Sequence, residues 1–234
     1  MLAAAEMLSI VIPVLDEAAT IAQALQRLAP LRERGAEVIV VDGGSSDATA
    51  AHARPLADRV ERAPRGRASQ MNAGAALARG DTLMFLHADT VLPDDADRLI
   101  AAALAGGARW GRFDVRIEGT HPMLAVVAWS MNLRSRLSGI ATGDQAMFVC
   151  RETFAAAGGF PDIALMEDIA LSRALKQRGR PACLRARVTT SGRRWQKHGV
   201  LRTIALMWRL RLAYFLGADP SDLAVRYGYR PARR

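Results

Sequence analysis

Thr82-Leu83-Met84-Phe85-Leu86-His87-Ala88-Asp89 is an apolar run that stops at two polar, metal-competent side chains one residue apart. Bounded by Gly80-Asp81 before and Pro93-Asp94 after, it reads as a buried strand of a largely parallel sheet. Ligands of open α/β sheets collect at the carboxyl ends of such strands. On an extended backbone His87 and Asp89 face the same side. An imidazole and a carboxylate there suit a divalent cation held against a phosphate-bearing ligand. The same residues also read as a strand end and a helix cap, so the stretch alone leaves both open.

Other groups along the chain bear on that choice. Asp42-Gly43-Gly44-Ser45-Ser46-Asp47 follows a second apolar run. Its glycines let backbone approach a ligand, and it leads into a helix N-terminus that favours anions, although an ordinary tight connection has the same composition. Asp16, Glu17 and Asp42 fall at the ends of two strands, where carboxylates accept hydrogen bonds from ribose hydroxyls or a base N–H. Neither G-x-G-x-x-G after the first strand nor G-x-x-x-x-G-K-[ST] occurs, which excludes the dinucleotide fingerprint and the P-loop. Glu167-Asp168 is a carboxylate pair at a helix start, after the turn Gly158-Gly159-Phe160-Pro161; helix capping is the usual role of such pairs. Gly143-Asp144-Gln145 and Arg193-Arg194-Trp195 are further polar clusters beside apolar segments.

The elements that must position these groups alternate through the first half. Strands are expected at 8–13, 37–42, 58–61 and 82–87, with helices at 17–28, from Ser46 or Asp47, and at 68–78. This rhythm predicts a doubly wound α/β sheet. In the second half, 109–118 alternates polar and apolar residues like an antiparallel or edge strand. Helices are expected at 122–137 and 166–178, and strands at 146–149 and 182–188. The segment 200–216 is apolar but carries Arg202, Arg209 and Arg211, too many charges for a transmembrane span. It reads as a helix that packs on the domain or lies in a membrane interface.

The chain has 234 residues and a net charge of +9, unevenly placed. Residues 171–234 hold 16 Arg or Lys against Asp219 and Asp222, so the first 170 residues are net acidic. A basic C-terminal part suits an anionic partner such as a phosphate group or an acidic lipid surface. No RNA- or DNA-binding motif supports a nucleic acid. Met1–Ile12 has no basic leader, so no signal peptide is expected. Cys150 and Cys183 stand far apart, which fits a reducing cytoplasm.

Ser9-Ile10-Val11-Ile12-Pro13 with Asp16-Glu17, then Val40-Val41-Asp42-Gly43-Gly44-Ser45-Ser46-Asp47, resembles the opening of family 2 glycosyltransferases with the GT-A fold. Asn72-Ala73-Gly74 and the strand ending His87-Ala88-Asp89 are similar to the segment carrying that family's D-x-D motif. Gly158-Gly159-Phe160 followed by Glu167-Asp168 looks like its acceptor loop and E-D motif. Phe85–Asp89, Trp110-Gly111-Arg112-Phe113, Gly143-Asp144-Gln145, Met166-Glu167-Asp168 and Arg193-Arg194-Trp195 resemble its radical-SAM/selenodomain-associated transferase 2 subgroup.

The resemblance implies a GT-A domain over 1–195, with a nucleotide-sugar half at about 1–92 and an acceptor half at about 93–195, and a basic helical appendage at 196–234. It implies a donor site of Pro13, Asp16, Glu17, Asp42, Gly43, Arg67, Asn72, Ala88 and Asp89, with Arg193, Arg194 and Trp195 at the diphosphate or acceptor. Mn²⁺ or Mg²⁺ would be held by Asp89, with His87 where the family has its first Asp. Asp168 would be the general base, Glu167 would position the acceptor loop, and Asp144 is the next candidate base. The implied reaction is inverting transfer from a nucleoside-diphosphate sugar to a hydroxyl or phosphate acceptor, including a lipid-linked one at the inner face of the cell membrane. Two other classes compete. A nucleotidyltransferase should have a Gly-rich loop after the first strand, and Ile12–Glu17 has no glycine. A non-catalytic nucleotide-sugar or lipid-phosphate binding protein gains from the His87 departure and loses from the presence of Asp89 and Asp168.

Overall fold

The computed structural model describes residues 7–229, so the first half of the Met1–Ile12 segment, in which no signal peptide is expected, and the last five residues of the basic tail lie outside the described residues. The first half runs β1 (Leu8–Val14), α1 (Ile21–Gln26), α2 (Ala29–Glu33), β2 (Glu37–Asp42), α3 (Thr49–Ala53), β3 (Arg59–Arg62), α4 (Arg67–Leu77) and β4 (Thr82–Phe85). The second half runs β5 (Thr90–Val91), α5 (Ala96–Ala105), β6 (Trp110–Ile117), α6 (Met123–Ser138), a 3₁₀ turn (Gly143–Gln145), β7 (Met147–Cys150) and α7 (Arg151–Ala156). It ends with α8 (Glu167–Lys176), β8 (Ala182–Thr190), α9 (Arg193–His198), α10 (Val200–Phe215) and α11 (Pro220–Tyr227).

All strands join one eight-stranded mixed sheet in the order β3-β2-β1-β4-β7-β6-β8-β5. β3, β2, β1 and β4 are parallel, so β1, β2 and β4 end at the same edge. Their near-continuous apolar runs, such as Ile10, Val11, Val38, Ile39, Leu83 and Met84, are buried because helices cover both faces. On one face pack Ile21, Leu25, Leu31, Ile100 and Leu124; on the other, Met71, Ala75, Phe154, Leu171 and Leu175. α4 reaches its sheet face only because Gly74 has no side chain: a Cβ there would stand 2.3 Å from Val11 Cγ1.

Three expectations change. The strand at 109–118 bears out the antiparallel alternative in its pairing with β7, but it is interior, with β8 parallel on its other side, and not an edge. Its polar alternation imitates an edge because α6 satisfies it from outside: Arg112, fully buried, donates to Ser135 Oγ at 3.0 Å and to Asn132 O at 3.2 Å and pairs with Asp114. The helix expected at 17–28 splits into α1 and α2. The Glu17 carbonyl takes the Thr20 and Ile21 N–H groups in a turn, leaving Glu17 outside the helix at the sheet edge. The helix after β2 begins at Thr49, where Asp47 Oδ1 accepts the Thr49 N–H at 3.0 Å.

The C-terminal helices have their own small core. Leu210 of α10 and Leu223 and Ala224 of α11 pack with Ile140, Leu165, Met166 and Ile169 around the start of α8. Burying a leucine fully, as at Leu223, contributes about 1.5–3 kcal/mol to that docking.

Candidate active site

A cleft of about 390 Å³ opens beside the shared carboxyl edge of β1 and β4. β1 and the turn after it supply Pro13 and Glu17, and the turn after β4 supplies His87, Ala88 and Asp89. Arg67 comes from the first residue of α4, Asp144 from the 3₁₀ turn, and Arg193, Arg194 and Trp195 from α9. Groups far apart in sequence thus line one concave site.

Several residues expected in the donor site are engaged elsewhere. Asp16, at φ 53°, accepts from Ser46 N–H at 2.8 Å and Ser46 Oγ at 3.0 Å. Asp42, buried, accepts the Ser45 N–H at 3.0 Å and the Ser45 hydroxyl. Both carboxylates brace the turn after β2. Gly43 lies against Gln70, whose amide donates to Val14 O at 2.9 Å and Val41 O at 2.7 Å and ties the ends of β1 and β2 together. Asn72 is a correction: its amide donates to Phe160 O at 2.8 Å and accepts Phe160 N–H at 2.9 Å. Both ends of the side chain are spent on the Gly158–Pro161 turn, away from the cleft.

β4 stops at Phe85, so His87 and Asp89 stand on a turn closed by Thr90 N–H donating to His87 O at 3.0 Å, not on extended backbone. The turn separates their surroundings. His87 Nδ1 is 3.4 Å from Asp144 Oδ1. The Cε1–Nε2 edge of its ring lies over Gly143, where a Cβ would stand 2.5 Å away; only glycine permits that approach. Asp89 accepts no hydrogen bond among the described residues, and its nearest cation is Arg193 Nη2 at 3.9 Å. The same Arg193 atom is 3.8 Å from Glu17 Oε2, so one guanidinium stands between two carboxylates.

Charge in the cleft is finely balanced. Burial, with the like charges of Asp144 and Glu17, raises the Asp89 pKa against the opposing effect of His87 and Arg193. Burial also works against the Asp144 charge, but His87, Arg67 and Arg194 outweigh it and hold its pKa below the usual range. Arg67 Nη1 is 4.0 Å from Glu167 Oε1. Burial would loosen the Arg67 proton; Glu167 and its neighbouring acids more than reverse this and hold the guanidinium charged.

Glu167 and Asp168 form the first turn of α8, set behind the cleft wall. Met166, before them, is left-handed at φ 71°, a strained setting for a side-chain-bearing residue. Asp168 Oδ2 accepts the Gly143 N–H at 2.9 Å and Oδ1 the Ile169 N–H at 2.7 Å, joining α8 to the turn that carries Asp144. Glu167 is 5% exposed; burial, then the charge of Asp168, pushes its pKa up to about 7.

Sequence reasoning missed the far wall. Met131 comes from α6, Thr203 and Met207 from α10, and Tyr227 and Tyr229 from α11 and its end. Arg194 lies 3.5 Å from the centroid of the Tyr227 ring and donates to the Tyr227 carbonyl, pinning α11 over α9. The Arg-Trp cluster was legible in sequence, but no spacing signal connected it to a tyrosine 33 residues on.

Residues 9–155 match the family model described as Glycosyl transferase family 2. The succinoglycan biosynthesis protein ExoA of Rhizobium meliloti (strain 1021) is 37% identical over 114 residues, which are 42% of this chain and 33% of that protein. The chain therefore spans about a third of that curated relative. Its fold is that of S. aureus TarS 1–349, solved with UDP-GlcNAc, at TM-score 0.64 and 17% identity over 79% of this chain and 58% of that one. It is also that of the mannosyltransferase PcManGT from Pyrobaculum calidifontis, solved with GDP-Man and Mn²⁺, at TM-score 0.64 and 20% identity over 95% and 69%. Both likenesses establish the mixed α/β fold of GT-A glycosyltransferases.

The Glu167 environment has a pH consequence. A carboxyl with a raised folded pKa keeps a proton between about pH 4.5 and 7 that the unfolded chain has released, so its contribution to stability declines as pH rises through that window. Glu167→Gln removes that decline. Urea unfolding at pH 5 and pH 8 should show the variant gaining on the wild type by up to about 3 kcal/mol at the higher pH. Parallel pH dependence in the two proteins would remove Glu167 as the buried titrating group.

Proposed function

The chain belongs to glycosyl transferase family 2, and on that premise we propose that the cleft transfers a sugar from a nucleoside-diphosphate donor to an acceptor, with inversion at the anomeric carbon. The supporting observation is the convergence of Glu17, Asp89, Arg193 and Arg194 at the sheet edge with the Glu167-Asp168 pair behind the opposite wall. The sequence features Trp110–Phe113, Gly143–Gln145 and Met166–Asp168 favour the radical-SAM/selenodomain-associated transferase 2 subgroup within the family.

In this reading Glu17 hydrogen-bonds the ribose of the donor, while Arg193 and Arg194 meet its diphosphate. Asp16, Asp42 and Gly43 act one step back, fixing the turn on which the base and ribose rest. Asp168 takes the proton of the acceptor hydroxyl as that oxygen bonds to the anomeric carbon. The bond from that carbon to the diphosphate breaks, and its electron pair leaves with the nucleotide. Attack from the side opposite the leaving group inverts the centre. Arginine charge, fixed before the reaction, stabilises the diphosphate as it departs.

A divalent cation, Mn²⁺ or Mg²⁺, fits beside Asp89. That carboxylate is half-buried, lacks a hydrogen-bond donor and feels the like charge of Asp144. No three His, Cys, Asp or Glu side chains converge as a ready ligand set among the described residues. The protein would therefore give one or two ligands, and the donor phosphates and water the rest, as is usual for Mg²⁺ beside phosphates. His87, with Nδ1 turned to Asp144, is the weaker ligand and orients Asp144. Such a cation, when bound, supplies charge that stabilises the leaving diphosphate.

Calorimetric titration with UDP and GDP in Mn²⁺ checks the donor side: Asp89→Ala should lose the metal-dependent part of nucleotide affinity. Asp168→Asn should keep donor binding and lose on the order of a hundredfold in turnover, because an amide cannot take the acceptor proton. Wild-type turnover in Asp168→Asn would move the base to Asp144, or to Glu167 with its pKa near neutrality.

We infer further that the acceptor is presented at a membrane surface. No helix among the described residues is long and apolar enough to cross a bilayer. α10 instead buries Val200, Thr203 and Leu210 and exposes Leu201, Trp208, Leu212 and Phe215 along one stripe, with Arg202 and Arg209 also exposed on that helix. α6 exposes Val126, Trp129, Leu133 and Leu137 in the same manner. Apolar side chains beside arginines suit an anionic bilayer interface. Trp208→Ser with Leu212→Ser should abolish sedimentation with vesicles containing phosphatidylglycerol while leaving thermal stability unchanged. Equal binding by the variant would remove the membrane contact.

A further inference from the structure

Met131 on α6 and Met207 on α10 line the far wall of the cleft. Arg134 follows Met131 by three residues and Arg211 follows Met207 by four, so each arginine lies one helical turn beyond a cleft-lining methionine on its own helix, behind the cleft surface. Neither guanidinium has a matching acceptor. Arg134 Nη2 is fully buried without a hydrogen-bond partner, a state shared among the described residues only by Thr82 Oγ1. Arg211 makes no side-chain hydrogen bond or ion pair among the described residues. The nearby interior arginine, Arg112, is by contrast fully satisfied by Asp114, Ser135 and Asn132.

Burial lowers the pKa of both, that of Arg134 to about 10, and Arg211 and Arg112 oppose Arg134 further. The one acid whose field favours both cations is Asp168, and its oxygens already accept the Gly143 and Ile169 N–H groups. Two cations thus share one carboxylate. Unpaired buried charge is costly, and a fold that retains it beside a cleft is shaped for a counter-charge that arrives later.

We propose that Arg134 and Arg211 form an acceptor subsite that binds a phosphate monoester and so holds a neighbouring hydroxyl against Asp168. Paired guanidinium forks match the oxygens of a phosphate, to which arginine donates two parallel hydrogen bonds. Arg193 and Arg194 stand at the sheet edge on α9, so the donor diphosphate and the acceptor phosphate have separate arginines. The subsite deepens the glycosyl-transfer reading and rests on it for its role. The phosphate belongs to a soluble phosphomonoester or to a lipid headgroup, and the two sources are separable by experiment.

The full chain is saturated with UDP or GDP and Mn²⁺ to fill the donor site, then titrated with glycerol 3-phosphate and, separately, with vesicles of phosphatidylcholine with or without phosphatidic acid. Wild type should bind the phosphomonoester, and Arg134→Gln and Arg211→Gln should each weaken binding at least tenfold while nucleotide affinity stays within twofold. Binding to the soluble ester identifies a soluble acceptor; binding only to phosphatidic acid vesicles identifies a lipid one; either supports the subsite. Arg134→Met keeps the test open if the polar variants fold poorly. It should melt no lower than wild type in phosphate-free buffer and should lose the rise in Tm that glycerol 3-phosphate gives the wild type. Equal phosphate affinity in wild type and variants, or a lower Tm of Arg134→Met without phosphate, overturns the subsite. Absence of nucleotide binding with phosphate binding intact would overturn the glycosyl-transfer reading and leave the anion site standing.

Discussion

Glu167 and Asp168 sit side by side at the start of α8, Glu167 almost wholly removed from water. Two adjacent carboxylates in such a place repel each other and forfeit hydration, a cost the surroundings must offset. The offsets define much of the local architecture. The backbone N–H groups of Gly143 and Ile169 hold Asp168, Arg67 faces Glu167 from α4, and the positive end of α8 points at both. Met166 accepts a left-handed backbone to start the helix there. A small separate core of α10 and α11 side chains packs around that same corner and keeps it closed.

The parallel strands do the corresponding work on the other side. β1, β2 and β4 end together, and the chain turns at Glu17, at Gly43 and at His87-Ala88-Asp89 rather than continuing extended. Backbone turned out of a sheet needs partners, and Gln70, Ser45 and Ser46 with Asp16 and Asp42 supply them. Of the carboxylates that face the cleft, Glu17 takes the Thr20 hydroxyl and Asp144 the His87 ring, and Asp89 is left without a donor among the described residues. Non-glycine residues with positive φ occur at Asp16, Ala146 and Met166, each beside the cleft or the carboxylate pair behind it. Strain concentrated around one site is what a preorganised centre requires.

Charge asymmetry along the sequence becomes charge complementarity in space. The acidic first part of the chain provides Glu17, Asp89 and Asp144, and the basic last part provides Arg193 and Arg194. Folding brings α9, α10 and α11 back against the sheet edge, so Arg193 comes to stand between the Glu17 and Asp89 carboxylates in one cleft. α10 serves two environments at once, burying Leu210 and exposing Trp208.

The sequence by itself determined the alternation of strands and helices through β4, the glycine turns, and most of the polar residues that meet in the cleft, because strand-end position and local spacing are encoded over a few residues. It did not determine that β6 is interior. Whether a polar alternation faces water or α6 depends on a helix that follows in the chain, and Asn132 and Ser135 of that helix are what satisfy Arg112. Nor did it separate Asn72, a brace for Phe160, from Arg67, a cleft residue five positions earlier on the same helix. Only the tertiary structure decided which carboxylates keep free lone pairs, which arginines lack acceptors, and that Tyr227 closes over Arg194. Those outcomes depend on contacts between segments far apart in the chain, and residue spacing carries no record of them.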